Sequence, residues 1–225
     1  MKLVIFGLSI SSSWGNGHAT LWRGLCRALH ARSHRVVFFE RDTPYYRSAR
    51  DLFELPGGSL IFYEDFRSVR ARAALELADA DAAIVTSYCP DGILASELVL
   101  GSARPVKVFY DLDTPVTLAE LDAGRRPAYL REAGFAGFDL VLSFTGGPAL
   151  DLLGTRLGAE RVEPLFGFVD PDVHRGLPPV EEFRSDLSYL GTYSADRHAA
   201  FEELFLEPAR AAREAARPTM ADRVI

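Results

Sequence analysis

Lys2-Leu3-Val4-Ile5-Phe6-Gly7-Leu8-Ser9-Ile10-Ser11-Ser12-Ser13-Trp14-Gly15-Asn16-Gly17-His18-Ala19 is the stretch that decides the fold. It opens on an apolar run, Lys2 to Ile10, that reads as a strand. A small polar loop, Ser11 to His18, follows. From about Ala19, apolar Leu21, Leu25, Ala28 and Leu29 recur at the spacing of a helix that faces a core. Strand, glycine loop and helix form the opening unit of a nucleotide-binding α/β domain. Such a loop gathers backbone N–H groups and the positive end of a helix dipole at one point. An anion or a sugar hydroxyl is held there without a charged side chain.

Gly15-Asn16-Gly17-His18-Ala19-Thr20 comes close to the dinucleotide fingerprint, with Thr20 in place of the third glycine, and Glu40 stands near the spacing of the ribose-binding acid. The fingerprint needs its first glycine directly after the strand, whereas here Gly7 to Trp14 intervene. The loop therefore reads as an overhanging, substrate-contacting loop, with Trp14, Gly15, Asn16 and Gly17 toward the substrate. The alternative is that Gly15 and Gly17 only turn the chain. His18 sits at the helix start, above the carboxyl end of the first strand. A neutral imidazole there either takes a proton from an acceptor hydroxyl or merely hydrogen-bonds the loop.

Outward from this unit the pattern repeats. His34 to Glu40 is a second strand, β-branched and aromatic, and Arg41 to Tyr46 follow at its carboxyl end. Doubly wound sheets bind ligands at that end. One reading puts Glu40, Asp42 and Tyr45 on the cleft; the other makes Asp42 and Thr43 a turn before Pro44. Further strands are expected at 60–63, 82–87, 106–110, 138–143 and 161–165, with helices between them. About seven alternating strands predict a mainly parallel, Rossmann-like doubly wound sheet.

Two later strand ends also carry chemistry. In Asp111-Leu112-Asp113-Thr114-Pro115 the aspartates accept sugar hydroxyls, or one acts as a base. Alternatively Asp113 or Thr114 caps the next helix, with Pro115 in its first turn. Asp111 is the favoured functional residue and Asp113 the favoured structural one. Thr145-Gly146-Gly147 marks either a close approach to ligand or a tight turn.

Composition changes after Phe168. Residues 169–186 read as a proline-rich connector, and 187–225 restart the opening pattern. There a strand at Leu187 to Leu190 and a small-residue loop, Gly191-Thr192-Tyr193-Ser194-Ala195-Asp196-Arg197, lead into a helix from His198. The expected domains are thus 1–168, a linking stretch, and the first strand–helix unit of a second Rossmann-like domain.

The chain has 225 residues, is 48% hydrophobic and carries a net charge of -6, from 25 Lys and Arg against 31 Asp and Glu. With no basic excess to neutralise phosphates, nucleic acid is not an expected partner. The two cysteines, Cys26 and Cys89, lack metal-ligand spacing and read as reduced thiols of a cytoplasmic protein. No run is long and apolar enough to span a membrane.

Several runs resemble the bacterial spore-maturation-protein-B-like (CgeB-type) glycosyltransferase family. They are Phe6-Gly7-Leu8-Ser9, Ser13-Trp14-Gly15-Asn16-Gly17-His18, Phe38-Phe39-Glu40-Arg41-Asp42, Tyr110-Asp111-Leu112-Asp113-Thr114-Pro115-Val116-Thr117, Ser143-Phe144-Thr145-Gly146-Gly147, Val169-Asp170-Pro171-Asp172-Val173-His174 and Tyr189-Leu190-Gly191-Thr192-Tyr193-Ser194-Ala195-Asp196-Arg197. The resemblance extends to about Glu207. It implies a GT-B glycosyltransferase of two Rossmann-like domains. The first would hold the acceptor and the second a nucleotide-sugar donor, with no metal or other cofactor. The loop around Asn16 and His18 would face the reacting centre. Gly191, Thr192, Tyr193 and Ser194 would face the donor diphosphate, and Arg197 would supply a counter-charge.

By the same resemblance most of the donor domain is not in this sequence, so the expectation is a truncated form that does not turn over a nucleotide sugar alone. Its incomplete second part is expected to fold back on the first domain, stay mobile or associate with another chain. The competing readings are a non-catalytic ligand-binding module and a nicotinamide-dependent oxidoreductase.

Overall fold

The computed structural model describes residues 1–191 and 195–215. Seven strands and six helices come first: β1 Lys2–Gly7, α1 Gly17–Ala31, β2 Arg35–Arg41, α2 Pro44–Arg47, β3 Ser59–Tyr63, α3 Phe66–Ala78, β4 Ala82–Thr86, α4 Gly92–Leu100, β5 Val106–Asp111, α5 Thr114–Asp122, β6 Leu140–Ser143, α6 Pro148–Leu157 and β7 Val162–Pro164. All the strands are parallel, in the order β3-β2-β1-β4-β5-β6-β7. This is the Rossmann-like, doubly wound sheet expected from the alternation of elements.

The central strands are apolar on both faces because both faces are covered. Val4 and Phe6 of β1, Val37 and Phe39 of β2, Val85 of β4 and Phe109 of β5 point to one side. There they meet Phe66, Val69, Ala73 and Leu77 of α3, Ala95 and Val99 of α4, and Leu153 and Leu157 of α6. Ile5, Phe38, Ile84 and Tyr110, one residue out of step, point to the other side and meet Trp22 and Cys26 of α1. The period of two along each strand separates the two layers. Trp22 lies edge-on to both Phe38 and Tyr110.

Strand order reverses at β1, whose neighbours are β2 on one side and β4 on the other. The crevice beyond the carboxyl ends of β1 and β4 is the topological switch point of the sheet, the place where open α/β sheets bind ligands.

In the first unit one strand is shorter than expected. β1 ends at Gly7, not Ile10, because Gly7 is the last residue registered against β2. Beyond it the amides of Ile10 and Ser11 turn to the Glu40 carboxylate. After the Asp42 and Thr43 that one reading made a turn, Pro44–Arg47 is a single helical turn with Pro44 in its first position.

The chain divides into two compact units, Met1–His174 and Arg175–Ile225. The first runs to His174 because Asp170 is tied into it. The Asp170 carboxylate pairs with Arg27 at 2.7 Å, and its carbonyl accepts the His174 amide at 2.7 Å.

In the second unit, Leu187–Leu190 forms no strand among the described residues, and Leu190 is wholly exposed. A lone strand without a neighbour cannot pair its backbone groups. The helical part holds as expected: α7 His198–Phe201, a π-helical stretch Glu202–Leu206 and α8 Glu207–Ala215. Tyr189 packs on Phe201 and Phe205.

Candidate functional site

The loop after β1 was expected to overhang the sheet. It is instead tied to the body of the domain. Glu40, fully buried at the end of β2, accepts four bonds from it: the amides of Ile10 and Ser11 at 2.8 and 2.9 Å, and the hydroxyls of Ser9 and Ser11 at 2.9 and 2.6 Å. Asn16 caps α1, its Oδ1 accepting the His18 amide at 3.1 Å. Its Nδ2 donates to the carbonyls of Ser9 and Ser12 at 3.0 and 3.3 Å. Arg23 holds the Ile10 carbonyl at 2.9 Å and pairs with Asp51, which in turn accepts the Ser13 hydroxyl at 2.7 Å.

Glu40 and Asn16 were expected to touch substrate, and the structure gives both to the loop itself. With all its bonding capacity committed, Glu40 is not placed as a ribose-binding acid, which also weighs against the nicotinamide reading. Sequence alone could not show this, because the donors lie about thirty residues upstream of Glu40.

Asp42 is likewise engaged. Arg47 donates to it at 2.9 Å and Arg50 at 2.8 Å. The Arg47 bond, helped by Arg50, holds its carboxyl below the usual range. Trp14, Gly15 and Gly17 are exposed on the loop, and Trp14 packs on Tyr45 with ring centroids 5.4 Å apart.

On the far side of the switch point the groups are less settled. His18 is half-buried, its ring 5.6 Å from that of Tyr88, and its Nδ1 has no hydrogen-bond partner. Burial lowers the His18 pKa below 6.5, while the charge of Asp113 pulls it up. The imidazole is therefore mainly neutral at pH 7, as a proton acceptor must be. The Tyr88 hydroxyl donates to Asp113 Oδ2 at 3.0 Å. Burial raises the Tyr88 pKa, and the bond to Asp113 adds to the rise. Tyr88 has φ +62°, the left-handed region, which costs a non-glycine residue roughly 1–2 kcal/mol. Strain of this kind persists where the surroundings impose it.

Asp113 occupies the N-cap position of α5 but makes no capping bond with its side chain, which reaches Tyr88 instead. Asp111 is fully buried. Its Oδ1 accepts the Asp113 amide at 3.2 Å, and its Oδ2 has no partner of bonding geometry. The hydroxyls around it have other partners as well: Ser87 accepts the Leu112 amide, Thr114 pairs with Ser143 and Thr117 with Tyr129. Burial pushes the Asp111 pKa up, against the pull of Thr117, the Asp113 amide, Thr114 and Ser87. The placement reverses the roles expected for this pair, since Asp113 faces the crevice with His18 and Tyr88 while Asp111 lies beneath it.

Thr114 is buried at the start of α5. Thr145, half-buried, reaches the same Ser143 hydroxyl at 3.1 Å. Gly146 has the Phe166 ring 3.0 Å from where a Cβ would stand, so there it is a close packing contact. Gly147 holds φ +68° at the N-cap of α6, the backbone that the tight-turn reading requires. In the second unit Gly191 is exposed and Arg197, also exposed, ends a short 3-10 turn. Thr192, Tyr193 and Ser194 lie outside the described residues.

Tyr88 was not singled out from sequence. Its signal was position alone, in Tyr88-Cys89-Pro90-Asp91-Gly92 after a buried strand, and strand order was needed to set that turn beside His18. Cys26 and Cys89 are buried and their thiols are pushed up to about 12, so neither is a nucleophile. Among the described residues no three His, Cys, Asp or Glu side chains converge as metal ligands, and no helix is long and apolar enough to cross a membrane. No family model and no curated protein matches the chain.

Proposed function

We propose that the first unit is the acceptor-binding side of a GT-B-type sugar transferase, with His18 as the base that takes the proton of the acceptor hydroxyl. One observation carries the reading: a half-buried histidine with an unpartnered Nδ1, lowered in pKa, sits at the switch point beside the Tyr88–Asp113 pair. A base poised near neutrality works best when neutral before the step and stabilised after it. Burial supplies the first condition. The Asp113 carboxylate supplies the second, because its charge favours the imidazolium once the proton has moved. Tyr88, bonded to Asp113, holds that carboxylate in place.

In this reading the nucleotide-sugar donor belongs to the second unit, where the resemblance assigns its diphosphate to Gly191, Thr192, Tyr193, Ser194 and Arg197. The resemblance noted in the sequence supports the assignment, as does a switch-point crevice in which Glu40 is not available to a nicotinamide ribose.

Transfer is measured as nucleotide release from UDP-, GDP- and dTDP-sugars, with this chain and with a homologue that carries the same His18 loop and two Rossmann-like domains. In the homologue, His18→Ala lowers turnover about a hundredfold or more. A loss of only a few-fold removes the base role. Tight NADH binding without nucleotide-sugar binding overturns the reading as a whole.

A further inference from the structure

We propose that Trp14 and Tyr45 form a stacking shelf for a neutral pyranose ring, so that the acceptor of this site is a carbohydrate. The inference rests on the sugar-transfer reading and names its acceptor class. Trp14 is 61% exposed and Tyr45 54% exposed, with ring centroids 5.4 Å apart at 52°. Tyr46 meets Tyr45 edge-on at 4.9 Å. This is a contiguous aromatic surface, not a scattered exposed side chain.

The shelf is held from both sides. Below Trp14, Ser12 donates to the Ala49 carbonyl at 3.0 Å and Ser13 donates to Asp51 at 2.7 Å. Tyr45 stands in α2, where the Ser48 hydroxyl bonds its carbonyl at 3.1 Å. Gly15 lets the two elements close on each other. It holds φ +61°, and a Cβ there would lie 2.8 Å from the Tyr45 hydroxyl. Rings fixed in this way lose little freedom when a ligand docks.

The chemistry of the surroundings selects the ligand. A pyranose has a face of C–H groups and a rim of hydroxyls. Aromatic faces carry negative potential and attract the polarised C–H groups. The rim needs donors and acceptors. α2 also carries Arg47, half-exposed and bonded to Asp42. Trp14 stands on the same loop as Asn16, which caps the helix that carries His18.

The test uses the 225-residue chain and neutral oligosaccharides: maltohexaose, cellohexaose, chitohexaose and mannohexaose. Of the two tryptophans Trp22 is 2% exposed, so a ligand-induced fluorescence change reports Trp14. Saturation-transfer NMR identifies which sugar protons meet the protein. At least one saccharide binds, with transfer strongest to protons of one ring face. Trp14→Ala and Tyr45→Ala each weaken binding about tenfold, whereas Trp14→Phe stays within roughly threefold. Leu75→Ala, an exposed apolar residue on α3, leaves affinity unchanged.

Absence of any binding below roughly 10 mM overturns the shelf, as does affinity unchanged from the parent chain in both alanine variants. Saccharide binding by a protein that consumes no nucleotide sugar keeps the shelf and overturns the transferase reading. Transfer to a non-carbohydrate hydroxyl, with no saccharide bound, does the reverse.

Discussion

The loop after β1 and the turns after β4 and β5 meet at one crevice and are built from similar residues, buried hydroxyls around a buried carboxylate. In the first, Ser9, Ser11, Ser12, Asn16 and Glu40 all find partners. In the second, Asp111 Oδ2 has none, Asp113 leaves its helix uncapped, and Tyr88 takes a left-handed backbone; His18, at the far end of the first loop, lies against Tyr88 with its Nδ1 unpartnered. A buried polar group with its bonds made rigidifies a fold, and one without them is held there at a cost. The contrast teaches that the glycine loop, the more conspicuous motif, is scaffold at its base, and that the less satisfied polar groups gather where its far end, at His18, meets the turns after β4 and β5.

The sharpest way to break this comparison is to make the same change at both carboxylates. Glu40→Gln replaces an acceptor oxygen by a donor that faces other donors. It is expected to cost about 3 kcal/mol, a fall in Tm of roughly 6–12 °C by calorimetry. A loss below about 1 kcal/mol would mean that the loop is not pinned by Glu40.

Asp111→Asn, by contrast, is expected to leave stability at pH 7 unchanged or to raise it by up to about 1 kcal/mol. The sign follows from its raised pKa. A group raised on folding contributes stability below its ordinary pKa, which is lost as pH rises through the folded value. Asparagine carries no charge and escapes that loss. Denaturant unfolding at pH 4 and pH 7 should show a flatter pH dependence in the variant.

His18 sharpens the comparison further. Its pKa is lowered on folding, so the unfolded chain binds more protons below about pH 6.5. Its contribution to stability is present above that value and is lost as pH falls through the folded pKa. His18→Gln should remove this part of the acid slope in a pH series of thermal melts. An unchanged slope would mean that the imidazole is solvated.

The smallest effect is the most local. Asp113 raises the His18 pKa against the burial that lowers it. Asp113→Asn should therefore move the His18 titration, followed by NMR of its ring protons, further down. A movement upward would show that Asp113 does not face His18.

Much of the fold was legible because its signals are short-range. Val4-Ile5-Phe6 and Val36-Val37-Phe38-Phe39 can hardly be anything but doubly covered strands, and Leu21, Leu25 and Leu29 mark one helix face. The switch-point location followed from the fold class. Other features depended on partners distant in the chain. β1 was read three residues too long because the amides that leave it are captured by Glu40. The strand expected at Leu187–Leu190 had the right residues but pairs with no strand among the described residues.

The residues alone settled the class of fold, the parallel sheet and the crevice in which His18 stands, since hydrophobic period and glycine position act over a few residues. Only the tertiary structure divided the polar residues of that crevice into those whose side chains hold the β1 loop and those whose side chains do not. Glu40 and Asn16 fell to the first group, and His18, Tyr88 and Asp113 to the second. The physical reason is that hydrogen bonding saturates: a carboxylate that has accepted four donors has none of its capacity left for a ligand. Which donors reach it is set by strands and loops packed side by side, not by their order along the chain.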